Sequence, residues 1–289
     1  MKMLNFILYF FLLSMTACTQ KGEVKKMTNI DISSFDLSNF SVKSIYFGHM
    51  SVGNNIIDGM ATIIEQKGQS DIVKILRIEN VDKINGHGFY HSTIGKNLDP
   101  ISKIDAFKNK IIDQRIGKKV DIAFFKFCFV DINKDTDINE VFSEYVNCIE
   151  EINEQYPELK ILHVTCPLKY HLHFGNIKAG NLNKTLRKFA RFGVNLFTGD
   201  QDNIKRNEYN RLVVDKYGKS DYLFDLAKFE STTKNGGQTS FIYKDKKYLC
   251  LNDEYTQDGG HLDELGKIVI GKKMLEYLTA IKGSIEIEK

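Results

Sequence analysis

Two short blocks near opposite ends of the chain hold residue types that could do chemistry together. The first, Tyr46-Phe47-Gly48-His49-Met50-Ser51-Val52-Gly53-Asn54-Asn55, lies where an apolar run gives way to an amphipathic one. A serine at a strand-to-helix junction has its hydroxyl at the end of a sheet. Its own N–H lies near a helix N-terminus, where unpaired donors and the helix dipole favour an anion. That suits a nucleophile whose intermediate carries an oxyanion. Serine is also a favoured N-cap, and judged by itself Ser51 reads better as a cap. The second block, Asp258-Gly259-Gly260-His261, sets a carboxylate and an imidazole three residues apart, just before a final helical segment. A serine hydroxyl needs a base within reach, and the base needs a third group to orient it. Asp258 can hold one ring nitrogen of His261 while the other faces Ser51, and the two glycines permit the tight backbone this requires. The competing reading is an aspartate capping the last helix beside a surface histidine. The two blocks together favour the nucleophile.

The elements that must position these blocks follow from the pattern of apolar runs. Strands are predicted at residues 44–48, 72–78, 120–129, 160–166 and 222–226, and helices near 54–66, 101–115, 139–155, 204–216 and 262–281. The run 120–129 is almost continuously apolar, as a strand buried on both faces should be. Alternation of strands and helices implies parallel strands with crossover helices, an α/β/α three-layer sandwich. All strand C-termini then share one edge, where such folds bind ligands. Residues 80–99 and 169–203 are long for connections, and loops of that length are usually functional or hold small elements of their own.

From about residue 44 onward the chain resembles the SGNH/GDSL-like hydrolase superfamily. The resemblance rests on a serine after the first strand, here in Gly48-His49-Met50-Ser51-Val52-Gly53, a divergent G-H-x-S-V-G form of the first block. It rests equally on Tyr255-Thr256-Gln257-Asp258-Gly259-Gly260-His261-Leu262 with Gly266 following, and on Phe224-Asp225-Leu226-Ala227 with Glu230. It implies a flavodoxin-like α/β fold with a mainly parallel five-stranded sheet, Ser51, Asp258 and His261 as the catalytic residues, and no cofactor or metal. The implied activity is hydrolysis of acyl esters, with O-acetyl groups on glycans as an analogy-based preference. Acetyl transfer to a polysaccharide and a non-catalytic glycan-binding lipoprotein are the alternatives. The family also supplies oxyanion donors from a glycine and from the asparagine of a G-x-N-D block. After the third predicted strand this chain has Lys126-Phe127-Cys128-Phe129-Val130-Asp131 instead. Gly95 and Asn97 offer the right chemistry, a backbone N–H and a side-chain amide, although a β-turn would use the same residues. A missing donor would cost roughly 3 kcal/mol of transition-state stabilisation.

The N-terminus reads as a leader. Lys2 precedes the apolar run Leu4 to Leu13, too short to span a bilayer, and Met15-Thr16-Ala17 leads into Cys18. This resembles a bacterial lipoprotein signal, with residues 1–17 removed, Cys18 acylated, 18–41 as a polar tether and 42–289 as the catalytic domain. The alternative is an ordinary secretory signal with an incidental cysteine. The protein is thus expected to be exported and lipid-anchored to a bacterial membrane. A net charge of +3, with Lys and Arg spread throughout, gives no basic stripe for nucleic acid. No C-x-x-C spacing is present, and Cys128 and Cys166 fall in apolar runs as buried free thiols would. His87 and His91 have a metal-ligand spacing only if helical, which Gly86 and Gly88 oppose; for His171 and His173, substrate contact or solvent exposure is the better reading than metal.

Overall fold

The structure is a computed structural model, and it describes residues 37–41, 43–171 and 199–281. The chain divides into Met1–Asp31 and Ile32–Lys289, and all described residues belong to the second unit. The expected leader, Cys18 and most of the tether lie outside the described residues. A short helix α1 (Ser38–Ser41) is described, with Leu37 and Phe40 each 1% exposed in the core. The folded unit therefore takes in residues that the sequence reading assigned to the tether.

Five parallel strands form the central sheet: β1 (Ser44–His49), β2 (Ile75–Arg77), β3 (Gly88–Thr93), β4 (Ile122–Phe125) and β5 (Lys160–Ile161), in the order β2-β3-β1-β4-β5. One residue later β6 (His163–Val164) pairs in parallel with β7 (Leu223–Phe224). The intervening Leu162 N–H still donates to the Ala123 carbonyl of β4, so this ladder continues from the sheet. The expected α/β architecture is present, with one difference in membership. Strand β3 lies inside the 80–99 segment read as a loop, and β7 joins through β6 rather than within the five. Polar residues hide β3 in the sequence. His91 and Ser92 break its apolar run, yet both are satisfied inside the sheet, where Ser92 Oγ meets Tyr46 Oη at 2.7 Å and His91 Nδ1 meets His49 Nε2 at 2.9 Å.

Successive strand side chains point to opposite faces, and this separates two cores. Ile45, Phe47, Phe89, Ile122 and Phe124 face α1, α2 (Val52–Gln66) and α7 (Glu264–Ala280). Tyr46, Tyr90, Ala123 and Phe125 face α3 (Pro100–Ile111), α4 (Ile138–Gln155) and α5 (Gly199–Tyr217). Helices α2 and α7, which follow the two chemical blocks, touch backbone to backbone. A Cβ on Gly59 would lie 1.9 Å from the Lys267 carbonyl oxygen, and one on Gly271 would lie 2.6 Å from the Gly59 carbonyl carbon. The crossing needs both glycines, and it fixes the two halves of the site against each other. A short helix α6 (Leu226–Ser231) and an antiparallel hairpin, β8 (Ser240–Tyr243) and β9 (Lys246–Leu249), complete the described α-helices and strands; the hairpin was not foreseen.

Candidate active site

Strand β1 delivers Ser51 to the C-terminal edge of the sheet as the residue preceding α2. Its backbone is left-handed, with φ 47° and ψ −105°. A non-glycine residue held this way costs of order 1–3 kcal/mol, which surrounding structure must offset. Although Ser51 occupies the N-cap position, its side chain makes no capping bond. Its Oγ instead meets His261 Nε2 at 2.5 Å. The cap reading of Ser51 fails on that geometry. Gly53 has room only as glycine, because a Cβ there would lie 2.4 Å from the His49 Cβ.

The partner loop holds itself in place. Asp258 Oδ1 accepts the backbone N–H groups of Gly260 at 2.9 Å and His261 at 2.8 Å, and Oδ2 meets His261 Nδ1 at 2.6 Å. Gly259 takes φ 86°, and a Cβ on Gly260 would strike the Phe129 ring at 2.7 Å. The Phe129 ring in turn meets the His261 imidazole edge to face at 5.3 Å. Asn55 in the first turn of α2 ties the two blocks together by accepting the Leu262 N–H at 3.2 Å. Burial pushes the Asp258 carboxyl upward, but the N–H of Gly260 and the ring and N–H of His261 outweigh it and hold the group below its ordinary value. An ionised Asp258 fixes the proton on Nδ1 and leaves Nε2 to receive the hydroxyl proton of Ser51. Asp263, not Asp258, caps α7, accepting from the Gly266 N–H at 3.0 Å. The His261 and Asp258 side chains are 46% and 57% exposed, so the chain of three opens to water.

Gly95 and Asn97 follow β3, next to β1 in the sheet, and so share the edge with Ser51. Gly95 is left-handed, φ 58°, and a Cβ there would lie 2.5 Å from the Lys103 Cγ. Asn97 Oδ1 accepts from Lys103 Nζ at 3.0 Å, which turns the amide nitrogen into the end that can donate to a ligand. Among the described residues no hydrogen bond joins Gly95 or Asn97 to Ser51, Asp258 or His261. What holds this loop was not foreseen. Lys103 forms an ion pair with Asp131, and both side chains are wholly buried. Asp131 also accepts the Leu98 N–H at 3.0 Å and the Cys128 N–H at 2.6 Å. One carboxylate thus binds the loop after β3 to the loop after β4, where the expected asparagine is missing. A lysine within the apolar face Ile101, Ile104 and Phe107 is the sequence signal that could have flagged it.

The remaining candidates have structural partners. His87 is exposed, and His91 is bonded to His49. His171 meets Asp200 Oδ1 at 2.6 Å and stacks on Phe241 with centroids 4.5 Å apart, while His173 lies outside the described residues. No cluster of three or more metal-ligating side chains occurs among the described residues. Cys128, Cys148, Cys166 and Cys250 are buried free thiols.

Two buried histidines, His49 and His163, and the half-buried His91 predict acid sensitivity. Burial, then His91, Lys126 and Arg77, lower His49 to about 3; burial and Arg77 lower His91 to about 4; burial and Lys216 lower His163 to about 3. All three fold neutral, whereas the unfolded chain protonates them near pH 6.5. Below that pH the unfolded state binds more protons, so stability falls as pH drops from about 6.5 towards 3. The slope for His49 and for His163 is at most about 1.4 kcal/mol per pH unit each. Glu230, raised by burial to about 8, acts in the opposite sense between 4.5 and 8 and offsets part of the loss. Urea midpoints should fall between pH 6.5 and 4.5; an unchanged midpoint would contradict neutral burial of these imidazoles.

No protein-family model matches the sequence, and no curated protein does. Among solved structures the chain is similar to a lipase/acylhydrolase from Enterococcus faecalis, at 13% identity over 82% of this chain and 95% of that one, with a TM-score of 0.45. It is also similar to the periplasmic domain of a lipopolysaccharide acetyltransferase from Salmonella ser. Paratyphi A, at 14% identity over 80% and 82%, with a TM-score of 0.43. These likenesses concern the course of the chain and say nothing of the site.

Proposed function

We propose that this chain is a serine hydrolase that cleaves small acyl esters, with Ser51 as nucleophile, His261 as base and acid, and Asp258 as orienting carboxylate. The observation that carries the proposal is the unbroken hydrogen-bonded chain from Ser51 Oγ through both ring nitrogens of His261 to Asp258. Ser51 Oγ attacks the ester carbonyl as Nε2 takes its proton, and the imidazolium then protonates the departing alkoxide. Water enters by the same route and His261 activates it to release the acid. The Ser51 and Gly95 N–H groups and the Asn97 amide are the proposed oxyanion donors. No cofactor or metal has a step in this scheme.

The solvent-open His261 and Asp258 favour hydrolysis over transfer of the acyl group to a sugar, a reaction that must keep water out. The strained Ser51 backbone weighs against a purely glycan-binding role, because a binding module has no use for that strain. O-acetyl esters of glycans are the proposed natural substrates, and an exported protein acylated at Cys18 is the proposed setting. Palmitate labelling in cells, lost in Cys18→Ala, tests the anchor.

The activity is tested on the chain without residues 1–17. A fluorophosphonate probe should label it, p-nitrophenyl acetate should turn over, and Ser51→Ala should abolish both. An unlabelled, inactive wild-type protein would overturn the hydrolase reading. Labelling with negligible hydrolysis but acetyl transfer to an added sugar would favour the transferase.

A further inference from the structure

We infer that Lys169 is an anion anchor beside the Ser51–His261–Asp258 chain, so that the preferred ester carries a negative charge close to its scissile bond. The inference deepens the hydrolase reading and rests on it.

Lys169 lies in the loop that leaves β6 at the same sheet edge. Its backbone is fixed from two sides: its N–H donates to Asn203 Oδ1 at 2.9 Å, and its carbonyl accepts from Asn203 Nδ2 at 2.7 Å and from the Leu251 N–H at 3.1 Å. The next residue donates its N–H to the Gly259 carbonyl at 2.9 Å, so this loop is bonded to the loop that carries Asp258 and His261. The Lys169 ammonium lies 5.7 Å from the centre of the Phe129 ring, which also meets the His261 imidazole. The Phe129 ring therefore adjoins both the ammonium and the catalytic imidazole.

The ammonium has no carboxylate within ion-pair distance among the described residues. The neighbouring Arg206 is already engaged: its Nε donates to the Phe129 carbonyl at 2.5 Å, Nη1 donates to Asn203 Oδ1 at 2.8 Å, and Nη2 lies 3.7 Å from Asp202. Burial and then Arg206 lower the Lys169 value, with Asp202 and Asp258 opposing. Lysine on an aromatic face occurs for packing alone. Here, however, the ammonium shares the Phe129 ring with His261, so a substrate anion bound at Nζ gains a charge-assisted hydrogen bond beside the reacting ester. Catalysis is then faster for an anionic ester than for a neutral one of the same shape.

The test compares 4-acetoxybenzoate with its methyl ester, 4-acetoxyphenyl phosphate with its dimethyl ester, and 4-nitrophenyl hemisuccinate with 4-nitrophenyl butanoate. These pairs place a carboxylate or phosphate on the alcohol side and a carboxylate on the acyl side. At least one anionic member should exceed its partner in kcat/KM by on the order of 10–100-fold, as a charge-assisted hydrogen bond implies. Lys169→Met, which keeps the packing on Phe129 and loses the charge, should abolish the preference and leave neutral-ester turnover equal or higher. Lys169→Arg should retain the preference. In Ser51→Ala, binding of the favoured anionic ester by calorimetry should weaken with Lys169→Met, a readout independent of turnover. Neutral-ester turnover without any anion preference would overturn the anchor alone. Absent turnover with Lys169-dependent anion binding would overturn the hydrolase reading and leave the anchor standing.

Discussion

His261→Ala should lower kcat on an activated acetyl ester by on the order of 10⁴-fold or more, with little change in stability. The size follows from the geometry: among the described residues Nε2 is the only base bonded to Ser51 Oγ, and without it the hydroxyl must lose its proton to water. Stability should be spared because the imidazole is 46% exposed and its loss leaves the backbone bonds to Asp258 in place. Ser51→Ala should fall by a similar factor, and the double variant Ser51→Ala/His261→Ala should be no slower than either single one. Residues that act as one unit are not additive. Stopped assays on the three purified variants, with thermal melts as a control, measure this. Losses that multiply in the double variant would mean that the two residues act separately and would remove the basis for the hydrogen-bonded relay.

How legible each part was depended on how local its contacts are. The Asp258–His261 unit was readable because donor and acceptor lie within three residues and the glycines between them leave few other conformations. Ser51 was readable only in combination with it, since its sequence surroundings are those of a helix cap and its hydrogen bond to His261 spans 210 residues. Strand β3 was hidden because its polar residues are matched across the sheet by His49 and Tyr46, and apolar patterning cannot register a polar pair buried between strands. The hairpin β8–β9 was hidden for a different reason. Its turn, Lys244-Asp245, and the flanking Lys246 and Lys247 are charged, while its apolar anchor is formed by Phe241, Tyr248 and Cys250 with the distant Ile204. Gly95 was singled out for its chemistry, and its left-handed backbone packed on Lys103 gives a second reason for glycine there. The support beneath it, Lys103 with Asp131, joins residues 28 apart on different elements and had no sequence signature beyond a misplaced lysine.

That buried pair carries the second large prediction. Asp131→Asn leaves the Lys103 ammonium wholly buried with Asn97 Oδ1 as its remaining partner, and Lys103→Met leaves a buried carboxylate with only two N–H donors. Breaking a buried pair from either side costs about 3–5 kcal/mol, because the surviving charge is stranded in a low-dielectric interior. Each single variant should therefore show a sharply reduced urea midpoint. The double variant Lys103→Met/Asp131→Asn strands no charge, and the asparagine carbonyl still accepts a backbone N–H, so stability should recover by about 2 kcal/mol or more relative to the sum of the singles. Activity should not recover in parallel. Lys103 orients the Asn97 carbonyl, and Asp131 ties Leu98 to Cys128, so the double variant folds with the loop after β3 released from its support. Its kcat should stay at least about tenfold low, the scale of a misplaced oxyanion donor, while fluorophosphonate labelling of Ser51 persists. Recovery of kcat together with stability would show that the pair only holds the fold together and that Asn97 takes no part in binding the oxyanion.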